Sequence, residues 1–182
     1  METLFAIVGI VLAAIPVYYF FKEKSSPKLT VEIFKDNTSS SPIGPSNKNV
    51  PIDGVIEMRN AIMIFELTWN IKIIIRNNSE KTAFYPKIYF KNAQPYFLRI
   101  DKLNELESII SNETKTLNAA YQEFEEVTGN ERNDMLVLPE TIMRIEILLE
   151  YQDGNQKKYF THFKQVNKEN NFMTKKPKAF ND

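Results

Sequence analysis

Residues 63–75 read MIFELTWNIKIII, and this stretch carries the strongest β-strand pattern in the chain. Every odd position is apolar, whereas the even positions from residue 66 to residue 72 are polar or charged. Side chains alternate between the two faces of a β-strand, so this period of two predicts a strand with one buried and one hydrated face. A helix, whose faces recur at roughly 3.6 residues, does not fit the pattern.

Shorter alternating segments predict further strands on both sides of this one. They lie at residues 28–35, 84–90, 96–100, 143–151 and 157–163. Asn and Ser at residues 77–79 and Asp-Gly-Asn at residues 153–155 predict turns between them. Pro86 cannot donate a ladder hydrogen bond, which places its strand at a sheet edge. Together these antiparallel strands predict a mainly β fold, an immunoglobulin-like β-sandwich, here without cysteine and therefore without a disulfide.

Three segments interrupt the alternation. Residues 36–60 are rich in Ser, Pro, Asn and Gly and are predicted to be largely loop. Apolar residues between residues 101 and 127 recur at helical spacing, which predicts one or two short helices, although residues 114–121 also fit a strand. Residues 167–182 are predicted to be a polar, flexible tail, whose lysines either keep it soluble or contact anionic lipid or nucleic acid. The sandwich domain is therefore assigned to residues 25–166.

The N-terminal residues carry a second strong pattern. Residues 3–21 read TLFAIVGIVLAAIPVYYFF and contain no charged side chain. At ~1.5 Å per residue, a helix of this length would span just under ~30 Å, about the thickness of a hydrocarbon core. A signal peptide is the alternative, but it has a shorter apolar region that ends at a small-residue cleavage site. The run predicts a single transmembrane anchor helix over residues 1–24.

The flanks of this run predict its orientation. Tyr18 and Tyr19 are suited to headgroup depth, and Lys22 and Lys24 follow them, whereas no Lys or Arg precedes the run. Positive charge near a span stays on the cytoplasmic side. We therefore expect a bacterial inner-membrane protein, in contact with the lipid bilayer, with its N-terminus outside and its C-terminal domain cytoplasmic.

Small residues within the run predict self-association. Ala6, Gly9 and Ala13 lie on one helical stripe, and Gly9 and Ala13 form a small-xxx-small pair that lets helix backbones approach closely. Pro16 would kink the helix near its cytoplasmic end. The stripe favours a homo-oligomer, with a monomeric anchor as the alternative.

Residues that carry catalytic chemistry are few. The chain has no cysteine, five glycines and one histidine, His162, which we expect to be a surface or interface residue. No zinc-type ligand set, phosphate-binding glycine loop or nucleophile elbow occurs. The 23 basic and 23 acidic residues balance, which argues against nucleic acid as a partner. We therefore expect a protein that is not an enzyme, with no catalytic residue, no metal and no cofactor.

The apolar run, the Lys22 and Lys24 flank, the chain size and the absence of enzyme motifs together resemble the small accessory membrane proteins of bacterial type VI-B CRISPR systems. The resemblance implies a homo-oligomeric, pore-like inner-membrane assembly that acts in anti-phage defence. That family has been linked to an Arg-x(4–6)-His ribonuclease motif. Here Lys157 rather than arginine stands at that distance from His162, which argues against nuclease activity.

Two functions remain open from the sequence. The first is an oligomeric effector whose membrane span and cytosolic sandwich assemble into a pore. The second is a membrane-tethered, non-catalytic binding or adaptor module whose sandwich recognises a protein or a small ligand. A membrane-bound hydrolase is a distant third.

Overall fold

The computed structural model describes residue 13 and residues 15–17, 26–49, 61–92, 97–128 and 138–180. Within these residues β-strands predominate, and helix is confined to residues 13 and 15–17, one short α-helix and one turn of 3-10 helix. The elements are β1 (Leu29–Pro45), β2 (Ile62–Asn77), β3 (Phe84–Lys91), β4 (Phe97–Ile100), β5 (Thr114–Thr128), α1 (Glu140–Met143), β6 (Glu146–Gln152), β7 (Lys158–Lys164), β8 (Glu169–Met173) and the 3-10 helix Lys178–Phe180.

The strands form two four-stranded antiparallel sheets, one in the order β1-β2-β5-β4 and the other in the order β3-β6-β7-β8. The first order, set against β3-β6-β7, is that of constant-type immunoglobulin domains, in which strands A, B, E and D face strands C, F and G. Strand β8 extends the second sheet beyond this pattern. The mainly β, two-sheet sandwich is therefore as predicted.

The alternating stretch forms most of β2, which pairs with β1 on one side and with β5 on the other. Its odd residues Ile71, Ile73 and Ile75 are fully buried, as the period of two predicts. They share one hydrophobic core with Leu149 and Phe163 of the second sheet. This buried face holds the two sheets together.

The connection from β2 to β3 crosses between the sheets. Buried Asn77 at the end of β2 donates hydrogen bonds from Nδ2 to the carbonyl oxygens of Lys81 (2.8 Å) and Ile109 (2.9 Å), which fixes the turn. Strand β3 then pairs with β6 rather than with β2. Pro86 lies on this edge strand, as predicted, where the register shifts between Phe84 and Lys87.

Three segment predictions are wrong. Residues 36–45, predicted as loop, continue β1 along the length of β2; residues 50–60 lie outside the described residues. Residues 101–127, predicted to contain one or two short helices, contain none; the strand alternative for residues 114–121 is confirmed, because β5 pairs with β2 over its whole length. The predicted flexible tail contains β8 and the 3-10 helix, whose Phe180 packs against Leu148 and Phe160 of the second sheet.

The predicted transmembrane anchor is also contradicted. Among the described residues, no helix is long and apolar enough to cross a membrane, since a span requires about 20 consecutive helical residues. Within residues 1–24 the structure describes only residue 13 and residues 15–17, which are helical and exposed. The predictions of a single-pass, transmembrane and pore-forming protein depend on this anchor and are therefore wrong as well. The predicted inner-membrane location, with the N-terminus outside and the domain in the cytoplasm, is wrong for the same reason.

Candidate functional site

Strands β1 and β8 meet at one edge of the sandwich through side chains rather than through strand pairing. The Val31 backbone N–H donates to Oδ1 of Asn170 at 2.8 Å, and Nδ2 of Asn170 donates back to the Val31 carbonyl oxygen at 2.9 Å. One amide side chain therefore satisfies both outward-facing backbone groups of Val31. This Asn170–Val31 pair ties the first strand of one sheet to the last strand of the other.

A second tie lies two residues back along β1. The Leu29 N–H donates to the Tyr151 hydroxyl (3.4 Å), and the Thr161 hydroxyl donates to the Leu29 carbonyl oxygen (2.7 Å). The Thr161 proton is thereby used, so Tyr151 donates the 3.0 Å bond between the two hydroxyls. Burial raises the pKa of Tyr151 above its ordinary value, which keeps this proton in place. Leu29, Tyr151 and Thr161 thus form a closed, buried hydrogen-bonded ring.

Beyond the Asn170–Val31 pair the two edges diverge and leave an open groove of about 750 Å³. One wall is the segment that enters β1, and the other is the C-terminal half of β8 with the two residues after it. The lining residues are Ser26, Pro27, Lys28, Tyr151, Tyr159, Asn170, Asn171, Phe172, Met173, Thr174 and Lys175. This volume lies within the range of about 300–1,000 Å³ that is usual for ligand pockets.

Three aromatic side chains, Tyr151, Tyr159 and Phe172, line the groove. Phe172 stands opposite Thr161 in the strand register, so its ring lies on the side of the sheet that faces β1, and it is 46 % exposed. Nζ of Lys28 lies 5.7 Å from the centroid of this ring. Tyr159 stacks on Tyr151 with ring centroids 6.3 Å apart and an interplanar angle of 20°.

The Tyr159 hydroxyl is held in one orientation. It donates a hydrogen bond to Oδ2 of Asp153 at 3.1 Å, while Oδ1 of Asp153 accepts bonds from two backbone N–H groups of the β6–β7 turn. Burial, and then this hydrogen bond, raise the pKa of Tyr159, so the phenol stays protonated and the ring stays neutral. A fixed, uncharged aromatic ring therefore forms part of the groove.

The charged side chains that line the groove, among the residues the structure describes, are all positive. Its described lining includes Lys28 and Lys175 and no carboxylate. The ammonium of Lys157 lies 5.3 Å from the Tyr159 ring centroid, but it lines the neighbouring pocket rather than the groove. A concave surface lined by one sign of charge concentrates ions of the opposite sign. The groove is therefore suited to an anion.

Two other pockets among the described residues lack this character. One, of about 620 Å³, also includes Tyr159. Its lining combines two cations, Lys81 and Lys157, with two carboxylates, Glu80 and Asp153. The other, of about 400 Å³, contains Arg144 already paired with Glu140. We therefore take the groove between residues 26–28 and 171–175 as the candidate functional site.

We expect Asn170→Asp to lower the free energy of unfolding by about 1–3 kcal/mol, because the carboxylate cannot donate to Val31 and leaves its carbonyl oxygen unsatisfied. Urea unfolding followed by circular dichroism measures the change. The matched control is Asn171→Asp, which makes the same chemical change one residue along. Equal losses in the two variants would show that the Asn170–Val31 pair does not stabilise the sandwich.

The residues predicted as a self-association stripe or as interfacial anchors do not converge on a described site. Ala13 and Pro16 are exposed in the short described helical stretch. The other six, Ala6, Gly9, Tyr18, Tyr19, Lys22 and Lys24, lie outside the described residues.

His162 lies on the outer face of the second sheet, away from the groove. Its Nε2 is 2.7 Å from Oε2 of Glu146, and its ring meets the Phe180 ring edge-on at 5.3 Å. The side chain is largely covered rather than on the surface. Among the described residues, no group of three His, Cys, Asp or Glu side chains could hold a metal ion.

The groove itself was missed from sequence because one wall belongs to the segment predicted as a tail. The available signal was Phe172 and Met173, two large apolar residues in an otherwise polar stretch, followed by Phe180. Apolar side chains in a true flexible tail have nothing to pack against. Their presence indicated that residues 169–180 fold onto the sandwich.

Comparisons with known proteins give no function for this chain, so the proposal below rests on the geometry of the groove. No family model, curated protein or solved structure matches the chain. The resemblance to type VI-B accessory proteins stays a prediction.

Proposed function

We propose that this chain is a non-catalytic binding module whose β-sandwich takes an anionic ligand in the groove between residues 26–28 and 171–175. The observation that carries the proposal is the composition of the groove. Two lysines and several aromatic or apolar side chains line it, and no carboxylate does so among the described residues. A surface of this kind attracts negative charge while offering apolar area for the rest of a ligand.

Hydrogen bonds that need no ligand hold the groove together at its inner end and beneath its floor. The Asn170–Val31 pair closes its inner end, and the Leu29–Tyr151–Thr161 ring supports its floor. A preformed site loses less conformational entropy on binding than a site that must be ordered by its ligand. A preformed groove therefore favours binding of a small ligand.

The test is isothermal titration of the purified full chain with tripolyphosphate, a compact polyanion without an apolar part. We expect binding that weakens as salt is added, because exposed charges are screened. Lys175→Glu reverses one charge at the groove, and at ~1 kcal/mol per charge pair near water it should weaken binding by roughly tenfold or more.

The matched control is Lys178→Glu, which makes the same change on the same C-terminal segment but outside the groove. We expect it to reduce affinity by about twofold at most, through long-range charge alone. No measurable binding of tripolyphosphate, or equal losses in the two variants, would overturn the proposed anion site.

Two further sequence predictions stay predictions. One is self-association, which the mass of the purified full chain in solution measures directly. The other is a place in CRISPR-linked anti-phage defence, which rests on the resemblance alone. Neither is needed for the anion groove.

A further inference from the structure

We propose that the ligand of the groove is a phosphorylated planar heterocycle of mononucleotide size, with its ring on Phe172 and its phosphate beside Lys175. The inference rests on the proposed function and names the class of ligand for that same site. It depends on where the aromatic rings lie relative to the charges.

Phe172 occupies an unusual position for a large apolar side chain. Asn170 and Phe172 are two residues apart on β8, so both project toward β1. The amide of Asn170 reaches Val31 and closes the gap between the sheets, whereas the ring of Phe172 stands where the gap has opened. It is consequently 46 % exposed rather than packed in the core. The groove thus presents an aromatic ring to whatever enters it.

The second aromatic surface is Tyr159, which lines the same groove with its ring oriented by Asp153. Aromatic rings prefer offset-stacked or edge-to-face partners, so two aromatic rings in one groove favour a flat ligand over a branched aliphatic one. Stacking of a base on an aromatic side chain is sequence-tolerant, and its loss on alanine substitution weakens binding by roughly tenfold to a hundredfold.

The cations flank these rings. Lys28 lies over Phe172, and Lys175 follows Phe172 by three residues on the same wall of the groove. A lysine ammonium is a compact point charge that serves as a phosphate ligand in proteins. Adjacent aromatic and cationic groups match a molecule that joins a planar ring to a phosphate. The groove volume of about 750 Å³ is that of a site for a drug-sized ligand, a class that includes mononucleotides.

The experiment compares three probes by isothermal titration with the full chain: AMP, ribose 5-phosphate and adenosine. AMP carries both the ring and the phosphate, and the other two carry one each. We expect AMP to bind at least roughly tenfold more tightly than either fragment. Phe172→Ala should abolish the advantage of AMP over ribose 5-phosphate, and Phe172→Trp should retain it. Lys175→Glu should remove the advantage of AMP over adenosine.

The outcomes separate this inference from the proposed function. Equal affinity for AMP and ribose 5-phosphate, alongside binding of tripolyphosphate, would overturn the stacked ring and leave the anion groove in place. Tighter binding of a glutamate-rich peptide than of AMP would likewise overturn the heterocycle. Failure of AMP, ribose 5-phosphate and tripolyphosphate alike would overturn both proposals.

Discussion

Replacing Phe163 with alanine is expected to lower the free energy of unfolding by about 3–5 kcal/mol. Phe163 lies on β7, is 1 % exposed and stands opposite Ile147 in the strand register, in the core between the two sheets. Truncation removes its buried apolar surface and leaves a cavity that a sheet-on-sheet interface cannot collapse to fill. Guanidinium unfolding followed by tryptophan fluorescence measures the loss.

Phe172→Ala is the matched control for this change. It removes the same atoms from a ring that is 46 % exposed, so we expect a loss of about 1 kcal/mol or less. A small effect also qualifies this variant as a folded probe of the groove. Similar losses in the free energy of unfolding for Phe163→Ala and Phe172→Ala would contradict this arrangement, in which the Phe163 ring fills the core and the Phe172 ring borders the groove.

The second large effect is expected for Thr161→Val, a change that preserves shape and removes one hydroxyl. The variant leaves the Leu29 carbonyl oxygen and the Tyr151 hydroxyl proton without their buried partners. Since each unsatisfied buried group costs about 1–3 kcal/mol, we expect a loss of roughly 2–4 kcal/mol in the free energy of unfolding. Thr116→Val, the same change on an exposed position of β5, should alter stability by about 0.5 kcal/mol or less.

A double-mutant cycle isolates the closed ring. Tyr151→Phe alone leaves only the Leu29 N–H unpaired, so it should cost less than Thr161→Val. In the double variant the Tyr151 hydroxyl is gone, and its unsatisfied proton no longer adds to the loss. The double variant should therefore be more stable than the sum of the two single losses predicts. Strict additivity would show that the two hydroxyls do not interact.

Much of the sandwich was predictable from residues 63–75, and the failures have a common physical cause. From Leu67 to Ile75 every odd residue of β2 is buried in the core, so local patterning and burial agree there. In β5, by contrast, Leu117 and Tyr121 face the core while Phe124 lies on the opposite, exposed face. Apolar residues on both faces of a strand reproduce helical spacing, and only the pairing with β2 decides between the two structures.

Strand β1 fails the sequence prediction in a different way. Its second half contains NTSSSPIGP, a composition with low intrinsic preference for strands. It is extended because β2 continues alongside it and supplies hydrogen-bond partners as far as Pro45. Tertiary context overrides local propensity in this strand, and no local pattern reveals it.

The apolar residues of β8 signal that this segment folds, but the sequence does not show which elements meet to form the groove, for a geometric reason. The Asn170–Val31 pair joins residues 139 apart in sequence, and the Thr161–Leu29 bond joins residues 132 apart. Neither residue type is diagnostic by itself, since Asn and Thr occur throughout the chain. Lysines and aromatic residues from the two ends of the domain become a groove only when these contacts form.

The same contacts determine when during synthesis the sandwich can be completed. Strand β1 leaves the ribosome early, yet the side chains that satisfy its outward-facing backbone at Leu29 and Val31 come from residues 151, 161 and 170. Until residue 170 has emerged, the nascent chain carries an open strand edge able to pair with another molecule. The side chains at the end of the domain therefore protect its beginning from aggregation, and translation that stops before residue 170 leaves that edge unprotected.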